Sequence, residues 1–457
     1  MAGIFGTDGV RARINTGPMR AEAVVRLALA AGRWFVGQQD DKLKTSPLVV
    51  IGKDTRLSGY MLEAAMVAGF SSIGMECKLL GPVPTAAVSV MTKQLGGHLG
   101  VMISASHNPY HDNGIKLFGP DGQKLVDTVE SEISQLMAGS IALAQAEQMG
   151  RVRRILDAAD HYTKFACQTV SDQQMLKGKK IVVDCAHGAA YVTAPQTLSA
   201  LGAEVITLND EPDGLNINDQ CGAVYPEVMA KAVIEHKADM GLALDGDADR
   251  LIIADEFGTI HKGDRVLGVI ASHRHKTGQL RGNVIGTLMT NLGLEIYLAE
   301  QNIGFARAKV GDRYILEMLN DQGGNLGGEG SGHILMPDIC PSGDGLMAAL
   351  QLFTAQIETD KPLSQAMAIY DDVPQKLVNL KDMNKAMLAD ERITSFVATL
   401  EADLAGQGRI LLRPSGTEPL IRVMVEARDE DKLDKVMAQL VSHLEAVNHD
   451  YLSQDAS

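Results

Sequence analysis

The chain has 457 residues, with 42 Lys+Arg against 57 Asp+Glu and a formal net charge of −15. That acidic balance excludes the basic footprint of a nucleic-acid binder and the polybasic patch of a membrane-surface anchor. No segment reaches the roughly 20 apolar residues of a membrane span, and five scattered cysteines without a Cys-x-x-Cys pair exclude a disulfide framework and a structural zinc site.

Met1–Asn15 carries Asp8, Arg11 and Arg13 and no apolar stretch, so the expectation is a soluble, cytoplasmic protein with reduced thiols. The length predicts about three or four domains. In chain order, the apolar periodicity predicts helix Arg20–Val36, strand Leu48–Gly52, helix Tyr60–Gly74, strand Cys77–Leu80, helix Thr85–Leu95 and strand Leu99–Ile103. Gln38–Ser46 reads as a polar loop and Ala138–Arg151 as a boundary. A second block follows: strand Lys180–Cys185, helix Tyr191–Leu201, strand Glu204–Leu208, helix Glu227–Lys237 and strand Met240–Leu244. A third has helix Asp264–His275, strand Asn283–Leu288, helix Leu292–Gln301, strand Phe305–Val310, helix Tyr314–Asn320 and helix Gly345–Ile357. The last block, Asp371–Ser457, carries strands Arg409–Leu412 and Leu420–Glu426, helix Asp431–Val447 and a polar, frayed tail. The fold class is therefore α/β: three similar α/β domains (1–155, 156–258, 259–370) and a C-terminal α+β domain (371–457).

Four constellations carry chemistry. Ser104-Ala105-Ser106-His107-Asn108-Pro109 lies just past a buried strand, where open α/β sheets bind ligands. Ser106 is a candidate nucleophile, and a turn closing the strand is the alternative. A Ser-His-Asp hydrolase fits poorly, because the side chains of adjacent Ser106 and His107 rarely pair as nucleophile and base. Next, Asp245-Gly246-Asp247-Ala248-Asp249-Arg250 sits between two apolar runs. Three carboxylates at alternate positions repel unless a cation joins them, and their oxygens suit Mg²⁺. An EF-hand loop would need Gly where Arg250 stands, and a solvated acidic turn is the plain alternative.

Gly327-Gly328-Glu329-Gly330-Ser331-Gly332-His333 matches neither a Walker A loop nor G-x-G-x-x-G. Its glycines allow close approach of a ligand, and Glu329 and Ser331 are suited to sugar hydroxyls; a connector is the alternative. Last, Arg413-Pro414-Ser415-Gly416-Thr417-Glu418-Pro419 with Arg422 combines free amides, hydroxyls and guanidinium groups. That is the chemistry of a phosphate cradle, against a plain hairpin turn. Two smaller segments accompany these. Gly6–Arg11 could bring Arg11 to a phosphate, and Asp54-Thr55-Arg56 could shape the same crevice or cap a helix.

Together the set holds a nucleophile, a hard-cation site, a hydroxyl reader and a phosphate clamp. With the opening Gly3-Ile-Phe-Gly-Thr-Asp-Gly-Val-Arg11, these motifs resemble the α-D-phosphohexomutase superfamily along nearly the whole chain, and within it the amino-sugar branch. The resemblance implies four domains around a central cleft. It implies that Ser106 is carried as a phosphoserine, with one Mg²⁺ bound by Asp245, Asp247, Asp249 and that phosphate. Arg11, His107, Lys116 and His333 would surround the reacting oxygen, with Lys116 or His333 as general acid/base. Arg250, Glu329 and Ser331 would contact the sugar, and Arg413, Ser415, Gly416, Thr417 and Arg422 the phosphate that is not transferred. The implied reaction interconverts glucosamine 6-phosphate and glucosamine 1-phosphate through glucosamine 1,6-bisphosphate, feeding amino-sugar nucleotide synthesis. The partner implied is a small sugar phosphate, with neither nucleic acid nor membrane, and a homodimer is compatible. Gly330 departs from the branch, whose members commonly carry a larger polar residue there. The competing readings are mannose or glucose phosphates as substrate, a Mg²⁺-dependent phosphomonoesterase, and a non-catalytic sensor.

Overall fold

The computed structural model describes residues 4–6, 8–37, 47–414 and 420–455. Most predicted elements appear within one to three residues of their expected ends, because apolar runs bounded by turn residues report buried strands directly. Strands Leu99–Ile103, Glu204–Leu208 and Met240–Leu244 coincide with their expected ranges. The predicted loop at 38–46 lies outside the described residues.

The chain forms two compact units. The first comprises Met1–Thr287 and Ile303–Ile369 and contains three sheets. In the first sheet the order is Val10–Arg13, Asp112–Phe118, Leu99–Ile103, Leu48–Lys53, Glu76–Pro82, Val152–Arg154. The last four run parallel, and the first two join antiparallel. Strands Leu48–Lys53 and Leu99–Ile103 are buried at every residue, as parallel strands covered on both faces must be. Their apolar side chains share one core with helices Ala21–Gly37 and Ser58–Ser72. The second sheet runs Ile260–His261, Leu251–Asp255, Met240–Leu244, Lys180–Asp184, Glu204–Leu208. The third runs Phe305–Ala308, Val284–Thr287, Gly327–Gly328, Ile334–Leu335.

The second unit joins Leu288–Asn302 to Tyr370–Ser457. Helix Leu292–Glu300, which the sequence places in the third block, therefore groups with the C-terminal sheet. That sheet is antiparallel, with Leu420–Ala427 between Gln375–Lys381 and Gly408–Pro414.

Within the segment 138–151 the Ala144 and Gly150 amides donate to the carbonyls of Ser72 and Ser71, and Val152–Arg154 extends the first sheet. One expectation changes: the tail is not frayed from Asn448 to Asp455, because the last helix continues to Asp455. Asn448 is buried, accepting from the Asn384 amide at 2.9 Å and donating to the Asp382 carbonyl, while the Tyr451 hydroxyl reaches Asp390. Polar composition misleads there because the polar side chains have partners elsewhere in the same unit. All five cysteines are buried and free. Burial pushes the Cys77 thiol up to about 11, which keeps it unreactive.

Candidate active site

Three loops, each at the carboxyl end of a strand, meet in the first unit. Ser104–Ser106 follow Leu99–Ile103, Asp245–Arg250 follow Met240–Leu244, and Glu329–His333 follow Gly327–Gly328. Backbone hydrogen bonds fasten the aspartate loop to its surroundings. The Thr85 amide donates to the Asp247 carbonyl at 3.0 Å, Leu251 to Gly332 at 3.0 Å, and Gly345 to Ala248 at 2.9 Å. A bridge pairs Arg250 with His333.

Ser106 is buried, and its φ is +52°, a left-handed conformation unusual for a side-chain-bearing residue. Its hydroxyl donates to Asp245 Oδ2 at 2.6 Å, and His107 Nδ1 lies 3.3 Å from Ser106 Oγ. Burial, then Arg250 and Arg11, push the His107 imidazole down to about 4, so it is neutral at neutral pH.

The three aspartates converge as predicted. They are buried, and each offers one carboxylate oxygen within 4.8 Å of the others. Burial and mutual repulsion push the Asp245 carboxyl up to about 7. Asp247 accepts from Thr85 Oγ1 at 2.6 Å. Lys116 Nζ reaches Asp247 at 2.8 Å, Asp249 at 2.9 Å and Asp8 at 3.3 Å. Burial works against the Lys116 ammonium, but these carboxylates outweigh it and hold its pKa well above the usual range. Asp247 Oδ1 and Asp249 Oδ1 are buried with no hydrogen-bond partner among the described residues. A hard donor set in which Asp247 Oδ1 is orphaned and Asp249 Oδ1 faces only the His333 ring, at 3.5 Å, fits a divalent cation.

His333 lies 3.5 Å from Asp249 and 3.4 Å from Asp312. Burial opposes its charge, but these two carboxylates win and raise its pKa to about 9. Its ring rests against bare backbone: a Cβ on Gly343 would fall 2.3 Å from Nε2 and 2.5 Å from Cε1. Gly343→Ala must therefore displace the imidazole, and overpacking of this kind costs about 1–3 kcal/mol. The expected result is a turnover loss of about tenfold or more, since small misplacements of catalytic groups are expensive. Steady-state rates on the variant check this, and an unchanged rate would show the imidazole position to be unimportant.

Glu329 is half-buried and already oriented: Oε1 accepts from the Gly311 amide at 2.9 Å and Oε2 from the Ser331 hydroxyl at 3.0 Å. Ser331 is exposed. Arg250 is half-buried; burial opposes its charge, but Asp245, Asp249 and Glu329 outweigh it and raise its pKa. Arg11 is held by Asp8 at 2.8 Å and by Asn108 at 3.3 Å.

Arg413 and Arg422 belong to the second unit, where they are cross-strand partners in one register position. Like charges directly opposite destabilise a sheet unless an anion joins them. Arg422 Nε is buried without a partner among the described residues. Ser415, Gly416 and Thr417 lie outside the described residues.

Sequence reasoning missed Asp8, which sits at 27% side-chain exposure between Lys116, Lys124 and Arg11. The signal was present, in a run where only Arg11 drew notice. It also missed Thr85 and Asp312, whose contacts join residues far apart in sequence.

Comparison with known proteins agrees along the whole chain. Residues 2–142, 159–258 and 262–373 match the phosphoglucomutase/phosphomannomutase alpha/beta/alpha domains I, II and III, and residues 376–443 match the C-terminal domain of that family. The chain is 50% identical over 444 residues to a phosphoglucosamine mutase from Paracoccus denitrificans, covering 97% of this chain and 98% of the relative. It is 48% identical over 445 residues to one from Caulobacter vibrioides, with the same coverage. A crystal structure of a phosphoglucomutase/phosphomannomutase family protein from Burkholderia thailandensis shares the fold, with a TM-score of 0.80 at 22% identity and 97% of each chain covered. With family domains matched nearly from end to end and half of its residues shared with a full-length relative, the chain belongs to the phosphoglucomutase/phosphomannomutase family of phosphohexomutase enzymes.

Proposed function

We propose that this enzyme interconverts glucosamine 6-phosphate and glucosamine 1-phosphate through phospho-Ser106 and a glucosamine 1,6-bisphosphate intermediate. The observation that carries the chemistry is the Ser106 hydroxyl 2.6 Å from a buried carboxylate of a three-aspartate cluster, with two protonated cations, Lys116 and His333, on the same cluster. The choice of sugar rests on the full-length relatives named phosphoglucosamine mutase.

In this reading, phospho-Ser106 gives its phosphoryl group to the free hydroxyl of the bound sugar phosphate. The bisphosphate turns end for end and returns its other phosphate to Ser106. Asp245, Asp247 and Asp249 hold one Mg²⁺. Bound there, Mg²⁺ neutralises charge spread over the transferring group. Lys116 and His333 hold protons beside the reacting oxygen, and Arg11 and His107 line the same centre. Glu329, Ser331 and Arg250 orient the sugar. Arg413, Ser415, Gly416, Thr417 and Arg422 grip the phosphate that stays. A two-ended substrate requires such a second anion site, which also explains how an acidic chain binds a dianion. The four-domain division at 155, 258 and 370 belongs to the same proposal.

Asp247→Asn should raise the Mg²⁺ concentration for half-maximal rate by at least about tenfold, the scale on which even outer-sphere partners act. A titration of rate against Mg²⁺ reads this directly, and an unshifted curve removes Asp247 from the cation site. The sugar assignment is tested by phosphorus NMR with glucosamine 6-phosphate and glucose 6-phosphate competing in one tube, with Mg²⁺ and a trace of bisphosphate. Preferential appearance of glucosamine 1-phosphate is expected. Preferential glucose 1-phosphate would reassign the substrate, with Gly330 the first residue to question, since a side chain there would meet Asp264 only at 3.4 Å.

A further inference from the structure

The peptide that carries Ser106 is held on both sides. Its N–H donates to Ser104 Oγ at 2.9 Å, and Ser104 in turn donates to Asp54 at 2.6 Å. Its carbonyl accepts twice: from Arg56 Nη2 at 2.9 Å and from Asn218 Nδ2 at 2.9 Å. The same two side chains reach the Asn108 carbonyl, Arg56 at 2.8 Å and Asn218 at 3.2 Å. Arg56 comes from the loop after strand Leu48–Lys53 of the first sheet, whereas Asn218 lies in the segment after strand Glu204–Leu208 of the second.

Asn218 is itself under constraint. It is 7% exposed and left-handed, at φ +58°, with its amide bonded to the Ala186 carbonyl at 2.9 Å. Its Oδ1 is buried without a partner among the described residues. The orientation of the carboxamide is fixed, because only the NH₂ end can face two carbonyl oxygens. Space for this grip is left by Gly246 in the aspartate loop: a Cβ there would fall 2.5 Å from the Ser106 carbonyl and 2.7 Å from Asn218 Nδ2. A buried acceptor left unpaired is costly, and the left-handed backbone here is one that Asn adopts more readily than other residues with side chains. Folding stability alone does not account for accepting that unpaired acceptor.

We propose that Asn218 is a positioning residue for phosphoryl transfer. It fixes the left-handed Ser106 peptide, and so the aim of Oγ toward the aspartate cluster, from a segment that follows another strand of the sheet bearing that cluster. This rests on the reading of Ser106 as the phosphoryl carrier. Nucleophile and cation ligands come from different sheets, and Asn218 ties the backbone of the first to the sheet of the second.

The test compares Asn218→Ala and Asn218→Asp with the unaltered enzyme and with Ser106→Ala. The Asp side chain keeps the shape of Asn but presents oxygens, not donors, to the two carbonyls. Both Asn218 variants should keep KM for glucosamine 6-phosphate within about twofold and lose about tenfold or more in kcat, the signature of a misaimed group and not of a damaged sugar site. Intact mass after incubation with bisphosphate should show slower phosphorylation of Ser106, a readout that simple loss of stability in a still-folded protein does not move. If both variants retain kcat within twofold, or if both fail to fold, Asn218 has no positioning role and the inference is overturned. Should Ala alone fail to fold, the Asp variant decides by the same criterion. Full activity of Ser106→Ala would instead overturn the underlying reading of the site, which keeps the two failures distinct.

Discussion

Ser106→Ala is expected to lower turnover by about 10⁴-fold or more, as removal of a covalent nucleophile does in other enzymes. The loss should fall on kcat, with glucosamine 6-phosphate still binding, because the sugar and second-phosphate contacts proposed above lie on other loops. The fold should persist, since the deleted oxygen makes one hydrogen bond to Asp245 and a 3.3 Å contact with His107, and the peptide keeps its backbone partners. Asp245 would then lose the hydroxyl that helps its carboxylate stay ionised, so the triad should bind its cation somewhat less well. Kinetics, phosphate retention by intact mass and a ligand-binding isotherm on one preparation check the three parts. Undiminished turnover would remove Ser106 from the mechanism.

Arg56→Met is expected to act through the fold. Arg56 has no solvent exposure, pairs with Asp54 at 2.8 Å and donates to the carbonyls of Ser106, Asn108, Pro109 and Asp112. Burial already raises the Asp54 pKa, and Arg56 is the main force opposing that rise. Removing one partner of a buried ion pair leaves the other charge uncompensated, at a cost of about 3–5 kcal/mol. The catalytic loop should loosen as well, so the protein that remains folded should turn over slowly. A urea transition followed by circular dichroism reads the first effect, and an unmoved midpoint would contradict it. Arg56→Lys should rescue little, because an ammonium cannot span four carbonyls and a carboxylate in one plane.

The parts of this molecule legible in its sequence are those where chemistry or packing is local. Strand Leu99–Ile103 could be read because it is buried on both faces, and the aspartate loop because three carboxylates in five residues demand a counter-charge. Arg56 shows where such reading stops. It was noticed as a crevice residue or a cap, but its side chain turns inward and serves carbonyls about fifty residues away. The strand Asp112–Phe118, which delivers Lys116 to the aspartates, opens with Asp-Asn-Gly and so carries turn chemistry at its start. Asn218 and Gly343 are ordinary loop residues until the loops from different sheets are brought together. The last helix was cut short for the opposite reason: its polar residues from Asn448 onward have partners elsewhere in the same unit.

In the proposed mechanism Ser106 gives up one phosphoryl group and receives another in each turnover. Phosphorylated enzyme mixed with a substoichiometric amount of glucosamine 6-phosphate bearing ¹⁸O in its non-bridging phosphoryl oxygens tests it in one pass. The account predicts unlabelled glucosamine 1-phosphate, with the heavy phosphoryl group now on Ser106 and visible in the mass of the active-site peptide. Label retained in the glucosamine 1-phosphate would mean that phosphate migrates within one sugar, and label in inorganic phosphate would mean hydrolysis; either result contradicts the account.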